Sequence, residues 1–370
     1  MRVLQFAKRS VVTVALVSVT LAGCNANSGP DTPFNPAGTS ADLDAVGSTF
    51  GSPTFASFAA LSIHFDAALG GSPVISASAA ALDVRGTNGS RASAASMRAA
   101  AVQNVRRLTA LMSRPAAQGT PASMMAIPAG AAGKTFEYDL ATGTYIAGTR
   151  PLLASNTVRF ILYAVDPVTL LPVNPLVETG YVDLIDKSIG TTRAAEVVVV
   201  SGTTTYLDYT ITATSTATSG RVTVLGYVTD GSVQANVNLR SVLTFTGGLT
   251  LTYSLKVPAR DVAIDLTLSA TDLAQQTGII TVNLAVKGPN GSVSMIGQFT
   301  NTTGLLHVRI NGTAFATITT NGVTTTILRD DGQPCSDDEL GSMTRVFELQ
   351  AGAFASFDQM LAPVGVLLGG

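Results

Sequence analysis

Residues 249–257 read LTLTYSLKV. Leu249, Leu251, Tyr253, Leu255 and Val257 alternate with Thr250, Thr252, Ser254 and Lys256. Successive side chains of a strand point to opposite faces, so this stretch predicts a strand with one oily and one wet face. The period returns at Val262, Ile264, Leu266 and Leu268, and at Ile280, Val282, Leu284 and Val286. It returns again at Leu306, Val308 and Ile310, opposite His307, Arg309 and Asn311. Turn signals separate the runs: Asp230-Gly231, Gly247-Gly248, Pro289-Asn290-Gly291, Asn311-Gly312 and Asn321-Gly322. No helical pattern interrupts them, which predicts an antiparallel meander of about ten to thirteen strands over residues 134–330. Earlier strands near Thr157 to Val165 and Ala194 to Thr214 are less regular. Asp166 to Pro175 carries three prolines and reads as loop.

The meander is flanked by helical patterns. Residues 331–339 read DGQPCSDDE, in which Ser336 and Glu339 form a capping box and Asp337 and Asp338 suit the positive end of a helix. Leu340, Met343, Phe347, Ala351, Phe354, Phe357 and Leu361 then step by threes and fours, widened by Val346, Leu349, Ala353 and Met360. A helix over 336–362, stopped by Pro363, would be ~40 Å long, and a ten-residue strand is ~33 Å. One helix therefore has the length to lie along the oily face. The striped residues are the candidate core, or the wall of a ligand cavity. On the N-terminal side, Ser52-Pro53 reads as N-cap and first helical residue, followed by Phe55, Phe58, Leu61, Phe65 and Leu69 and closed by Gly70-Gly71. A weaker helix is expected over Arg91 to Met112. The predicted fold class is α+β to mainly β: a large curved antiparallel meander, one face covered by N-terminal helices and the long C-terminal helix. That cover is needed because an open oily face of this size would aggregate.

The first residues carry an address. Arg2, Lys8 and Arg9 precede an uncharged apolar run, Val11 to Ala22. The run is shorter than the ~20 residues a spanning helix needs and fits the core of a secretory signal. Leu21-Ala22-Gly23-Cys24 resembles the lipobox of bacterial lipoproteins, and the resemblance covers only residues 1–24. It implies that the leader, residues 1–23, is removed, that the Cys24 thiol takes a diacylglyceryl group, and that the new amine is acylated. Stable anchoring takes more than one acyl chain, which a triacylated Cys24 would supply. Asn25 is not the aspartate that typically retains such proteins at an inner membrane, so the resemblance leans towards an outer-membrane location in the cell envelope. Residues 25–40, NANSGPDTPFNPAGTS, read as a flexible tether, with a single mature domain over 41–370. Within that domain, residues 41–133 are expected to be helix and loop.

Composition narrows the function without naming it. The leader holds three of the 22 basic residues and none of the 24 acidic ones, so the mature chain is mildly acidic, with no reason to expect nucleic acid. Val84 to Phe136 contains seven basic residues and no acidic one, which reads as a solvated helix face and loop or as a surface resting on anionic lipid. With Cys24 lipidated, Cys335 has no partner in the chain and is expected to be a buried free thiol. Residues 129–135, AGAAGKT, approach a phosphate-binding loop, but Pro128 stands where its first glycine belongs and FEYDL after it reads as a strand. Asp330, Asp331, Asp337, Asp338 and Glu339 lack the spacing of a calcium loop. His64 and His307, the two histidines, have no partner at zinc-ligand spacing. No nucleophile elbow is present. No catalytic residue, metal or cofactor is assigned.

Three function classes follow: a membrane-anchored structural or interaction lipoprotein with a packed interior; a binding module holding a lipid or other apolar ligand between sheet and C-terminal helix; and, most remotely, a hydrolase with dispersed carboxylates. The protein partner and the ligand are not readable. The membrane partner enters through Cys24.

Overall fold

The alternating runs are strands of a single sheet. A computed structural model describes residues 35–50, 52–69, 127–271, 278–300, 302–321, 324–343, 346, 360 and 362–364. The chain divides into Met1–Pro33 and one compact unit, Phe34–Gly370. In that unit the strands are β1 (Thr135–Asp139), β2 (Thr144–Ala147), β3 (Thr157–Tyr163), β4 (Glu178–Asp186), β5 (Arg193–Ser201), β6 (Thr204–Ser215), β7 (Ser219–Thr229) and β8 (Gln234–Thr244). They continue as β9 (Leu249–Val257), β10 (Val262–Ala270), β11 (Ile280–Gly288), β12 (Gly291–Phe299), β13 (Thr303–Ile310), β14 (Thr313–Asn321) and β15 (Thr324–Arg329). From β3 to β15 each strand pairs antiparallel with the next, so this part is the expected meander.

Two features differ from expectation. The sheet has fifteen strands, and it is not purely antiparallel: its order ends β4-β3-β1-β2, with β1 parallel to β3 through Thr135↔Arg159 and Phe136↔Phe160. The β1–β2 hairpin is antiparallel, and the connection after β2 returns past β1 to start β3 on its other side.

Register aligns the oily faces. Val237, Leu255, Ile264, Val286, Val293 and Ile310 form one continuous cross-strand row, and all are buried. A second row runs Leu239, Tyr253, Leu266, Leu284, Met295, Val308 and Ala316. Because strand side chains have period two, a one-residue slip in any pair would turn such a row into solvent. Several glycines sit in this face for lack of room, Gly226 and Gly297 among them. A Cβ on Gly226 would lie 2.1 Å from the Asp208 carbonyl oxygen and 2.4 Å from Tyr209 Cα, and one on Gly297 would lie 1.9 Å from the Leu305 oxygen. Backbones approach closely there, as at strand bends.

Helices cover part of the face, two at the β1 end and one by the β11–β12 turn. α1 (Pro36–Ser48) takes in residues 36–40, the last five of the stretch read as a tether, which corrects that reading at its C-terminal end; residues 25–34 lie outside the described residues. Its start is physically ordinary: the Asn35 side chain accepts from Gly38 N at 2.9 Å and Pro36 is the first helical residue. Leu43 and Val46 are buried. α2 (Pro53–Leu61) begins as expected, Ser52 Oγ accepting from Phe55 N at 3.1 Å. A 3₁₀ turn, Ser62–His64, separates it from α3 (Phe65–Ala68). α2 packs on β3, β4 and β5, and α3 packs on β2. The helix expected over Arg91 to Met112, the basic stretch from Val84 as far as Ala126, and the leader with Cys24 lie outside the described residues. No helix among the described residues is long and apolar enough to cross a membrane.

Candidate functional site

The candidate site is the inner face of the sheet where the C-terminal residues meet it. The capping box forms as read: Ser336 N donates to Glu339 Oε2 at 2.8 Å, and Glu339 N donates to Ser336 Oγ at 3.3 Å. Residues 337–343 are helical, as are 346 and 360. Of the expected stripe, Leu340 is partly buried against the core and Met343 is fully buried. Phe347, Ala351, Phe354, Phe357 and Leu361 lie outside the described residues, so the long helix over 336–362 is not established. Met343 and Val346 face Val293, Val308 and Ile310 across a crevice too narrow to admit a water molecule. The Ser342 hydroxyl donates to the Pro36 carbonyl at 2.7 Å and lies 3.3 Å from Ser40 Oγ, tying the C-terminal residues to α1. At the other end the buried Tyr209 hydroxyl donates to the Met360 carbonyl at 2.8 Å. Burial pushes the Tyr209 phenol well above its ordinary pKa, so it stays a donor.

One inward group is out of place. Ser241 is fully buried on β8 between Val222 and Leu251, and its hydroxyl has no hydrogen-bond partner among the described residues. Periodicity alone places Ser241 inward, but it does not reveal that the hydroxyl is unmatched. Tyr209 is legible in the same way, through the Leu207, Tyr209, Ile211 alternation, while its bond to Met360 spans a separation no local pattern reports.

Under α3 the interior is aromatic. Phe65 stacks on Phe160 at 4.0 Å between centroids, and Tyr145 meets both edge-on, its hydroxyl donating to the Ile161 carbonyl at 2.7 Å. His64 stands edge-on to Tyr138, and partial burial lowers its pKa. His307 is exposed on the outer face.

Four carboxylates of β1–β5 are taken up by cations. Arg150 bridges Glu137 and Glu178. Arg159 forms a bidentate pair with Asp183 at 2.6 and 2.7 Å and lies over the Tyr181 ring. Lys187 meets Glu196 at 2.9 Å. Asp208 is raised above its ordinary range, first by burial and then by the Glu196 charge, but its strand places it on the outer sheet face rather than in a cleft. Cys335 is buried and free, its thiol pKa raised by burial. Among the described residues no three His, Cys, Asp or Glu side chains converge to hold a metal. The AGAAGKT stretch runs from a turn into β1, without the helix a phosphate loop requires.

The chain matches no known family model, and neither a characterised protein sequence nor a solved structure matches it.

Proposed function

We propose that this protein is an exported lipoprotein, held at the envelope membrane by lipid on Cys24, with a structural or interaction role built on a solid sheet–helix core. The address rests on Leu21-Ala22-Gly23-Cys24 after an uncharged apolar run. The observation that carries the role is the close packing of the inner face among the described residues. Inward side chains are buried on strand after strand, and the crevice beneath Met343 and Val346 excludes even water. A ligand cavity of ordinary size needs hundreds of cubic ångströms.

The cover of the inner face belongs to the same proposal. Residues 336–362 carry the pattern of one amphipathic helix, which would run from the capping box at Ser336 towards the Tyr209 contact at Met360, ahead of the 3₁₀ turn Ala362–Val364. As a helix, residues 346 to 360 span ~21 Å. The two surfaces they meet, β12 and β6, lie six strand spacings apart, or ~29 Å along the sheet. A sheet curved around the helix reconciles the two lengths.

The binding-module reading keeps one observation in its favour: the unmatched Ser241 hydroxyl inside the apolar layer. Gentle purification followed by organic extraction separates the two. A clean extract, apart from the covalent lipid, supports the packed core; a stoichiometric free lipid overturns it. Cys24→Ser tests the address. The variant should leave the membrane fraction or keep its leader, and one still cut before residue 24 and still membrane-bound defeats the lipobox reading.

A further inference from the structure

The outer face of β7 to β13 carries Arg221, Arg240, Lys256, Lys287 and Arg309 against one acidic side chain, Asp265. All six are exposed, and among the described residues none of the five cations makes an ion pair. This contrasts with Arg150, Arg159, Lys187 and Arg329, each matched to a carboxylate. In a chain of net charge −2, five cations without an ion pair among the described residues share one sheet face. Their placement follows from register: Lys256 and Lys287 flank Ala263 in one cross-strand row, and Arg240 shares a row with Thr252 and Thr267. The turns at the Lys256 end add Asp230, Arg260 and Asp261, which leave the sign unchanged.

Apolar side chains stand among the cations. Leu225 is 60% exposed, Ile296 46% and Leu305 40%, all on this face. Cations interleaved with exposed Leu and Ile suit the boundary between headgroups and acyl chains better than a fully hydrated polyanion.

The N-terminal side of the unit is at the same end. α1 touches the β11–β12 turn: the Asn290 side chain donates to both carboxylate oxygens of Asp42 at 3.1 Å, three residues from Lys287. Ten residues separate Cys24 from Asn35, and ten residues span at most ~35 Å. A lipid on Cys24 would hold the Lys287 end of the sheet close to the bilayer.

We propose that the outer face of β7–β13 lies on anionic lipid headgroups. The position of the membrane rests on the anchored reading above, but the surface is testable without the anchor, so the two can fail separately. The unit Phe34–Gly370, which carries no Cys24, is mixed with vesicles of phosphatidylglycerol and phosphatidylcholine, or of phosphatidylcholine alone, and sedimented. Binding is expected to the anionic vesicles only, and to disappear in about 1 M salt, where charges are screened within ~3 Å. K256Q with K287Q should weaken it roughly thirtyfold, while K187Q, which removes a paired cation, should not. Because both replaced lysines are exposed, the double variant should melt like the parent; if it does not, R240Q takes its place and should weaken binding roughly fivefold. Equal binding to neutral vesicles, no binding to anionic ones, or equal losses from K187Q and K256Q/K287Q overturns the proposal. So does heparin binding that is tighter than vesicle binding, which would assign the face to a soluble polyanion.

Discussion

The Tyr209 hydroxyl donates a 2.8 Å hydrogen bond to the Met360 carbonyl, joining the middle of the sheet to the C-terminal residues across 151 positions of chain. Both residues are buried, at 1% and 3% exposure, so neither group has water as an alternative partner. Tyr209→Phe keeps the ring and removes the donor, leaving a buried carbonyl unmatched. The expected cost is ~1–3 kcal/mol in a denaturant melt. A melt unchanged from the parent would mean that Met360 leaves the sheet in solution.

Gly226 faces Tyr209 directly in the β6–β7 pairing. The atoms a Cβ would strike are backbone and the Tyr209 Cβ, none of which a rotamer change can move. Gly226→Ala should cost about 1–3 kcal/mol, as overpacking does, and Gly226→Val should prevent soluble expression. Gly130→Ala is the control, since nothing lies within 4 Å of its Cβ position. Equal yields and melts for the two alanine variants would show that β6 and β7 do not approach as described.

These contacts mark where sequence stops being readable. The alternation at Leu249 to Val257 is legible because burial on one face acts on every second residue of a single strand. The capping box at Ser336 is legible because both partners lie within one helical turn. Gly226, the parallel β1–β3 pair and the Tyr209–Met360 bond are set by segments brought together only in the fold. α1 is a different failure. Asn35-Pro36 has the chemistry of a helix start, but it lies in a Pro- and Gly-rich stretch whose composition reads as a tether.

His64 gives a pH dependence with a definite sign. Burial lowers its pKa below the ordinary 6.5, so the fold favours the neutral ring. As pH falls through 6.5, the unfolded chain takes up a proton that the folded chain does not, and stability drops until the folded-state pKa is passed. The ring is partly exposed, so the effect is modest. Melts of the parent should weaken between neutral pH and the onset of carboxylate titration, and His64→Gln should flatten that window. If the variant keeps the same slope there, another group is responsible.

Ser241 decides between the two readings of the interior. Its hydroxyl is held between Val222 and Leu251 with no partner among the described residues. Burying a hydroxyl without a hydrogen bond costs ~1–3 kcal/mol on the scale of protein mutations. If the interior is packed core, Ser241→Ala removes that penalty and only a small volume. Stability should then rise or stay level, by at most ~2 kcal/mol, with nothing else changed. If the sheet holds an amphiphile whose polar group meets Ser241, the same substitution leaves that group unmatched. The ligand-loaded protein should then lose stability, and the organic extract should shrink. Ser241→Val sharpens the contrast. It is nearly apolar throughout and adds volume, so a tightly packed core should resist it through overpacking, while a partly unfilled cavity should accept it. A gain from alanine together with a loss from valine is the result expected of the structural reading; a loss from alanine with a depleted extract would overturn it in favour of a carrier.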